Sequence, residues 1–243
     1  MNPRDRIILS LDGFKSFEGA LVSLEGLSVP GAIVKVKALA DGAGIFVAQT
    51  LANKGYRPFV DFKVYDTPDA AAERVAVWRD AGAEFFTIHA SGHGEMMKKC
   101  IDAAGEKMKI IAVTVLTSFD AAASTDVFGF SPRTAVLALA RIARRAGIHG
   151  IVASPEEVAM LRKSAGWEDG ATTAIFTPGI RPAWAQKNDQ KRTATPAEAI
   201  RAGADYLIIG RPIFNPPPEI GSPTEAFGRI VSEVESASLS CCG

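Results

Sequence analysis

The stretch "RPFVDFKVYDTPDAAAERVAVWRDAGAEFFTIHA", Arg57–Ala90, reads as a strand, a helix and a second strand. "RPFVDFK" and "EFFTIHA" are short, near-continuous apolar runs rich in Val, Phe and Ile. That is the pattern of strands covered on both faces. Between them "DAAAERVAVWRDAG" is Ala-rich, has a helical period and stops at Gly82, which suits a helix C-terminus. The same unit recurs outward in both directions. "RIILSLD" and "AIVKVK" precede it, and "KIIAVTVL", "GIVAS", "AIFTPG" and "YLIIGR" follow, making eight runs. Gly147, Gly166 and Gly203 close further helical stretches such as "PRTAVLALARIARRAG". Eight strand–helix units in 243 residues fit an α/β chain folded as one (β/α)8 TIM barrel over residues 1–243. The rival is an open doubly wound sheet, which favours a glycine-rich first turn; "LDGFKSFEGA" carries no GxGxxG. The tail "ESASLSCCG", from about residue 236, is expected to fray.

Composition narrows the function classes. Charge is balanced, with 27 basic and 27 acidic residues, whereas nucleic-acid and membrane-surface roles usually need a basic patch. No segment has the apolar length of a membrane helix. The start, "MNPRDRIILSLDG", enters a strand pattern at once and lacks the features of a signal peptide. Cys100, Cys241 and Cys242 make neither a disulfide framework nor a metal-ligand spacing. The expectation is a soluble, cytoplasmic protein with reduced thiols.

In barrel enzymes the chemistry sits at the C-terminal ends of the strands. Here those ends gather Asp12, Lys35 and Lys37, Asp61 and Lys63, His89, Thr117 and Ser118, Ser154, Gly179 and Arg181, and Gly210 and Arg211. Asp61 and Lys63 are two apart on a strand and so share a face. Asp66 lies just beyond, and Lys35 ends the neighbouring strand. From spacing alone, a satisfied ion network at the rim and a catalytic field are equally good readings. In the second, carboxylates hold a lysine cationic and aimed, able to stabilise negative charge and deliver a proton. A Schiff-base lysine fits less well, because neighbouring carboxylates favour the charged amine. Gly179–Arg181 and Gly210–Arg211 follow the seventh and eighth strands, the usual phosphate corner of a barrel. Glycine lets backbone N–H groups approach oxygen, and an Arg fork suits phosphate.

"DFKVYDTP" resembles the DxKxxD-P motif of the orotidine 5′-monophosphate decarboxylase family. "LSLD", "IVKVK", "TIHASG", "VTVLTS", "FTPGIRP", "DQKR" and "TPAEAIRAGADYLIIGRPI" extend the resemblance, in order, over nearly the whole chain. DxKxxD alone is shared with sugar-phosphate relatives; the pairing of "TPGIRP…DQ" with "GADYLIIGRPI" is more specific. The resemblance implies decarboxylation of orotidine 5′-monophosphate to uridine 5′-monophosphate, with no metal and no organic cofactor. It implies Lys63 as the proton donor to C6, Asp61 against the leaving carboxylate, and Lys35 in the network, with Lys37 as its alternative. It further implies a homodimer in which Asp66 reaches the partner's site. Asp12 is implied at the ribose hydroxyls, Ser118 at the pyrimidine amide, Arg211 at the phosphate, and Gln190 between phosphate and base.

The polar segment "PAWAQKNDQKRTAT", Pro182–Thr195, has no helical period and reads as a lid that orders on phosphate binding, with Trp184 either packing it or left exposed. His89 and His93 suggest metal, but a strand-end histidine held by a neighbour is the better reading. "SPEE", Ser154–Glu157, reads as a structural N-cap. The chain departs from the family pattern at Thr67 (usually Ile), Ala70 (usually Thr) and Lys37 (usually Gly or Asn). Two rival functions remain. One is a Mg²⁺-dependent relative such as a 3-keto-gulonate-6-phosphate decarboxylase or hexulose-phosphate synthase. The other is a non-catalytic nucleotide- or partner-binding barrel.

Overall fold

A computed structural model of the chain describes residues 1–164, 173–185 and 192–240. The first strands are β1 (Ile7–Ser10), β2 (Ile33–Val36), β3 (Arg57–Val64) and β4 (Phe85–His89). They continue as β5 (Lys109–Val113), β6 (Gly150–Val152), β7 (Ala174–Thr177) and β8 (Tyr206–Ile209). Each pairs in parallel with the next, and β1 pairs with β8, so the sheet closes into a barrel. This is the expected (β/α)8 fold, and the open-sheet alternative is excluded.

Helices form the outer ring. α1 (Phe17–Leu27) follows β1, and the short α2 (Ala38–Ala43) and α3 (Phe46–Asn53) share the next connection. α4 (Pro68–Asp80) and α5 (His93–Ala104) follow β3 and β4. α6 (Ala121–Phe128) and α7 (Pro132–Arg145) lie between β5 and β6. α8 (Pro155–Arg162), α9 (Pro196–Ala202), α10 (Arg211–Phe214) and α11 (Pro223–Ser240) complete the chain order. α7 shows why such segments pack. Ser131 caps its first turn, Pro132 opens it, and Val136, Leu139, Ala140 and Ala143 bury one stripe at helical spacing.

Two apolar layers result. Residues of alternate parity on the strands, such as Leu9, Val34, Val60 and Phe86, pack outward against the helices. The others, Ile8, Ile33, Phe59, Phe85, Ile111, Phe176 and Ile208, plug the barrel interior. The site lies above that plug. α11 runs to Ser240, and Ala237 is buried, so the tail expected to fray begins as helix. Gly166, Cys241 and Cys242 lie outside the described residues. Among the described residues, no helix is long and apolar enough to cross a membrane.

Candidate active site

β3 does not pair with β4 regularly at its top. Val60 pairs with Phe86, but the next pair is Val64 with Ile88, so four steps on β3 answer two on β4. Asp61, Phe62 and Lys63 occupy this bulge. Lys63 has φ +51°, a left-handed conformation that costs a non-glycine residue roughly 1–3 kcal/mol. Bulges of this kind re-aim side chains. Asp61 and Lys63 thus share a wall of the cavity, as strand alternation anticipated, although the local backbone is irregular.

The charged groups form a chain. Lys35 Nζ donates to Asp12 Oδ2 at 2.7 Å and pairs with Asp61 Oδ2 at 3.2 Å. Lys63 Nζ donates to Asp61 Oδ1 at 2.7 Å. Thr87 Oγ1, from β4, donates to the same Oδ1 at 3.0 Å and accepts the Lys63 backbone N–H at 2.8 Å. Lys35 and Asp61 are buried, while Asp12 lies half exposed at the mouth. Burial alone would drive Asp61 towards its neutral acid. Lys35 and Lys63 outweigh that and hold the carboxyl down at about 2. Burial likewise opposes the Lys35 ammonium, but Asp61 and Asp12 reverse the balance and raise its pKa. Both groups are therefore ionised at neutral pH. The Lys63 side chain keeps 25% of its surface and is open to a ligand.

The network lines a cavity of about 310 Å³, at the small end of the usual range for ligand pockets. Gly179, Arg181, Gly210 and Arg211 form another part of its wall. Gly179 has φ +77°. A Cβ on Gly210 would come within 2.8 Å of the Ser10 carbonyl oxygen, so β1 and the residue after β8 meet backbone to backbone. A second hollow of about 480 Å³ shares Arg181 and Arg211 and runs past Trp184 to Pro216–Pro218. Trp184 is partly buried against the core.

Most of the sequence-expected residues meet here: Asp12, Lys35, Asp61, Lys63, Gly179, Arg181, Gly210 and Arg211 all line the cavity. Lys37 lines it too, from an exposed position. Asp66 does not; it sits on the exposed turn after β3, where its Oδ1 accepts the Thr67 N–H at 2.8 Å. Within the chain, the second carboxylate on Lys35 is Asp12. Ser118 is exposed beyond the rim, and its neighbour Thr117 lines the wall instead. Gln190 lies outside the described residues, as does part of the expected lid. His89 is partly buried with its ring edge-on to Tyr65 at 6.4 Å; burial first, then Lys63, lowers its pKa. Among the described residues, no group of three or more His, Cys, Asp or Glu is placed to hold a metal ion.

Two contributors escaped the sequence reading. One is Thr87. The other is Arg192, which pairs with the buried Glu157 and donates from Nη2 to the carbonyls of Leu116 (3.1 Å) and Phe119 (3.2 Å). Arg192 thereby pins the β5 loop that carries Thr117. Glu157 also accepts the Ser154 N–H at 2.9 Å, so the expected capping role of this stretch stands, and Ser154 is at the same time part of the cavity wall.

Residues 5–220 match the family described as "Orotidine 5'-phosphate decarboxylase / HUMPS family". The chain belongs to that family. An orotidine 5'-phosphate decarboxylase of Anaeromyxobacter sp. (strain K) is 40% identical over 225 residues, covering 89% of this chain and 94% of that protein. One of Rhodopseudomonas palustris (strain BisB5) is 40% identical over 237 residues and covers 96% of each. The crystal structure of orotidine 5'-phosphate decarboxylase from Lactobacillus acidophilus superposes with a TM-score of 0.76 at 30% identity, covering 95% of this chain and 99% of that one. The family match takes in all eight strands and ends just before α11.

Proposed function

We propose that the chain decarboxylates orotidine 5′-monophosphate to uridine 5′-monophosphate in pyrimidine nucleotide synthesis, in the cytoplasm, without metal or organic cofactor. The observation that carries this reading is the Lys35–Asp61–Lys63 chain, in one wall of a cavity that also holds two glycine–arginine pairs. Relatives with the matching name, 40% identical over most of the chain, support it.

The phosphate is held by Arg181, Arg211 and the backbone at Gly179 and Gly210. Asp12 meets the ribose, and the β5 loop meets the pyrimidine through Thr117, or through Ser118 after a change of loop conformation. Gln190 spans phosphate and base. This places C6 and its carboxylate beside Asp61 and Lys63. The C6–carboxylate bond breaks, carbon dioxide leaves, and the electron pair stays on C6. The Lys63 ammonium stabilises that charge and transfers a proton to it, forming the C6–H bond of the product. Solvent then returns a proton to Lys63. Phosphate binding far from C6 supplies energy for aligning the reacting end. Asp61 and Asp12 are both engaged by Lys35, which supports a course without a metal.

The active form is a homodimer, with Asp66 contributed to the partner's site. Its support is position: Asp66 is exposed on the outer turn, and the adjacent Tyr65 keeps 67% of its surface, an arrangement that a second copy would cover. The reaction class is tested by mixing purified protein with orotidine 5′-monophosphate and EDTA and following the ultraviolet change. Turnover that persists in EDTA is expected. No turnover would overturn the reading, and turnover of sugar phosphates that requires Mg²⁺ would place the chain with the HUMPS members of its family instead.

A further inference from the structure

We infer that Thr87 is a positioning residue for the decarboxylation: its hydroxyl spans the β3 bulge, from the Lys63 backbone to the Asp61 carboxylate, and fixes the proton donor against its carboxylate. The inference rests on the proposed function and adds a residue outside the charged motif.

Thr87 sits in the middle of β4, fully buried, on the strand face that also carries Phe85 of the interior plug. It is thus one layer above the plug and directly below the site. A hydroxyl there needs partners, since a buried polar group without them is costly. Thr87 has two, and both belong to the catalytic segment. The bulge takes the Lys63 N–H out of the regular β3–β4 ladder, and Thr87 Oγ1 accepts it at 2.8 Å. The single hydroxyl proton is then directed at Asp61 Oδ1, 3.0 Å away. That same oxygen accepts the Lys63 ammonium at 2.7 Å.

One side chain therefore holds both ends of the Asp61–Lys63 unit, the carboxylate and the left-handed backbone of the lysine. Without the hydroxyl, the Lys63 N–H loses its acceptor and Asp61 loses one of three donors. The bulge then has freedom to relax, and the ammonium no longer rests at one spot relative to C6. Small misplacements of this kind lower the rate of the chemical step more than they lower binding. The arginine end, at β7 and β8, is untouched.

The test compares wild type with T87V, which keeps the shape and removes the hydroxyl, and T87S, which keeps the hydroxyl. For each, kcat and KM for orotidine 5′-monophosphate and the Kd for uridine 5′-monophosphate are measured. T87V is expected to lose about 10- to 100-fold in kcat, about 1.4–2.7 kcal/mol of barrel-top transition-state stabilisation. Its product affinity should stay within about threefold of wild type, and T87S should recover most of the rate. If T87V fails to fold, T87C, a poor hydrogen-bonding group of similar size, replaces it in the comparison with T87S. A folded T87V or T87C with wild-type kcat would overturn the inference. So would a loss of product affinity as large as the loss of rate, which is the signature of general disruption. A wild type inactive on orotidine 5′-monophosphate would remove the proposed function, and this inference with it; an active wild type with an indifferent Thr87 would remove this inference alone.

Discussion

Strand β3 carries an ion pair at each end, and the two are built differently. At the bottom, Arg57 reaches Glu84 through two contacts, Nε to Oε2 at 2.8 Å and Nη2 to Oε1, with about a third of each side chain exposed. The guanidinium also lies over the Phe85 ring at 5.4 Å. Each side chain there keeps part of its surface open to solvent. At the top, Asp61 is buried and takes three donors on two oxygens, and the lysines it holds line an open cavity. The bottom pair ties neighbouring strands together at modest value, as exposed pairs do. The top cluster invests burial, a bulge and a left-handed lysine in holding charge where a ligand can meet it. Identical residue classes thus act as a fastener in one place and, in the proposed mechanism, as a reactive field in the other. What separates them is burial, strain and an adjoining cavity.

The sharpest way to break this contrast is at Lys35. Lys35→Ala leaves Asp61 buried with one cation fewer, and removal of one partner from a buried pair typically costs about 3–5 kcal/mol. Urea unfolding should show a loss of that order, together with a large loss of turnover. At the arginine end, Arg211→Ala should weaken uridine 5′-monophosphate by roughly 10- to 100-fold, the value of one charge-assisted hydrogen bond or slightly more. Binding of uridine, which lacks the phosphate, should not change; titration calorimetry of both ligands checks this.

Acid separates the two ends further. The Asp61 carboxyl falls from 3.8 to about 2 in the folded chain, with burial opposing the shift and Lys35 and Lys63 producing it. A lowered folded pKa stabilises the fold above the unfolded value and is lost as pH falls through the folded one. The stability advantage of wild type over Asp61→Asn should therefore be constant above about pH 4 and shrink between about pH 4 and pH 2. The smallest effect is expected at the bottom. The double variant Arg57→Gln/Glu84→Gln should change stability by about 1 kcal/mol or less and leave turnover unchanged.

How much of this was legible in the sequence differs from element to element. The eight strands were, because strands buried on both faces leave apolar runs that no surface helix imitates. Asp61, Lys63 and Lys35 were also legible, since charges at the ends of such runs need a reason. Thr87 was not. Inside "EFFTIHA" a threonine only adds β-propensity, and its role depends on a register shift that spacing does not reveal. Arg192 was hidden for a related reason: its partners Glu157, Leu116 and Phe119 are at least 35 residues away in sequence. The choice between Thr117 and Ser118 turned on which way one loop residue points, and adjacent hydroxyls give no pattern to read. The helical start of the tail was not legible either, because serine-rich composition gives little sign that Ala237 is buried.

The central claim is that the buried carboxylate exists to aim Lys63 as a proton donor. The measurement that tests it most directly is single-turnover decarboxylation of orotidine 5′-monophosphate by Lys63→Ala in EDTA, with dimer content and uridine 5′-monophosphate affinity measured on the same preparation. A folded variant that still binds the product and has lost about 10²–10⁴-fold or more in rate is the expected result for a removed proton donor. A variant that retains turnover within about tenfold of wild type would contradict it, because a positioned acid contributes more than that.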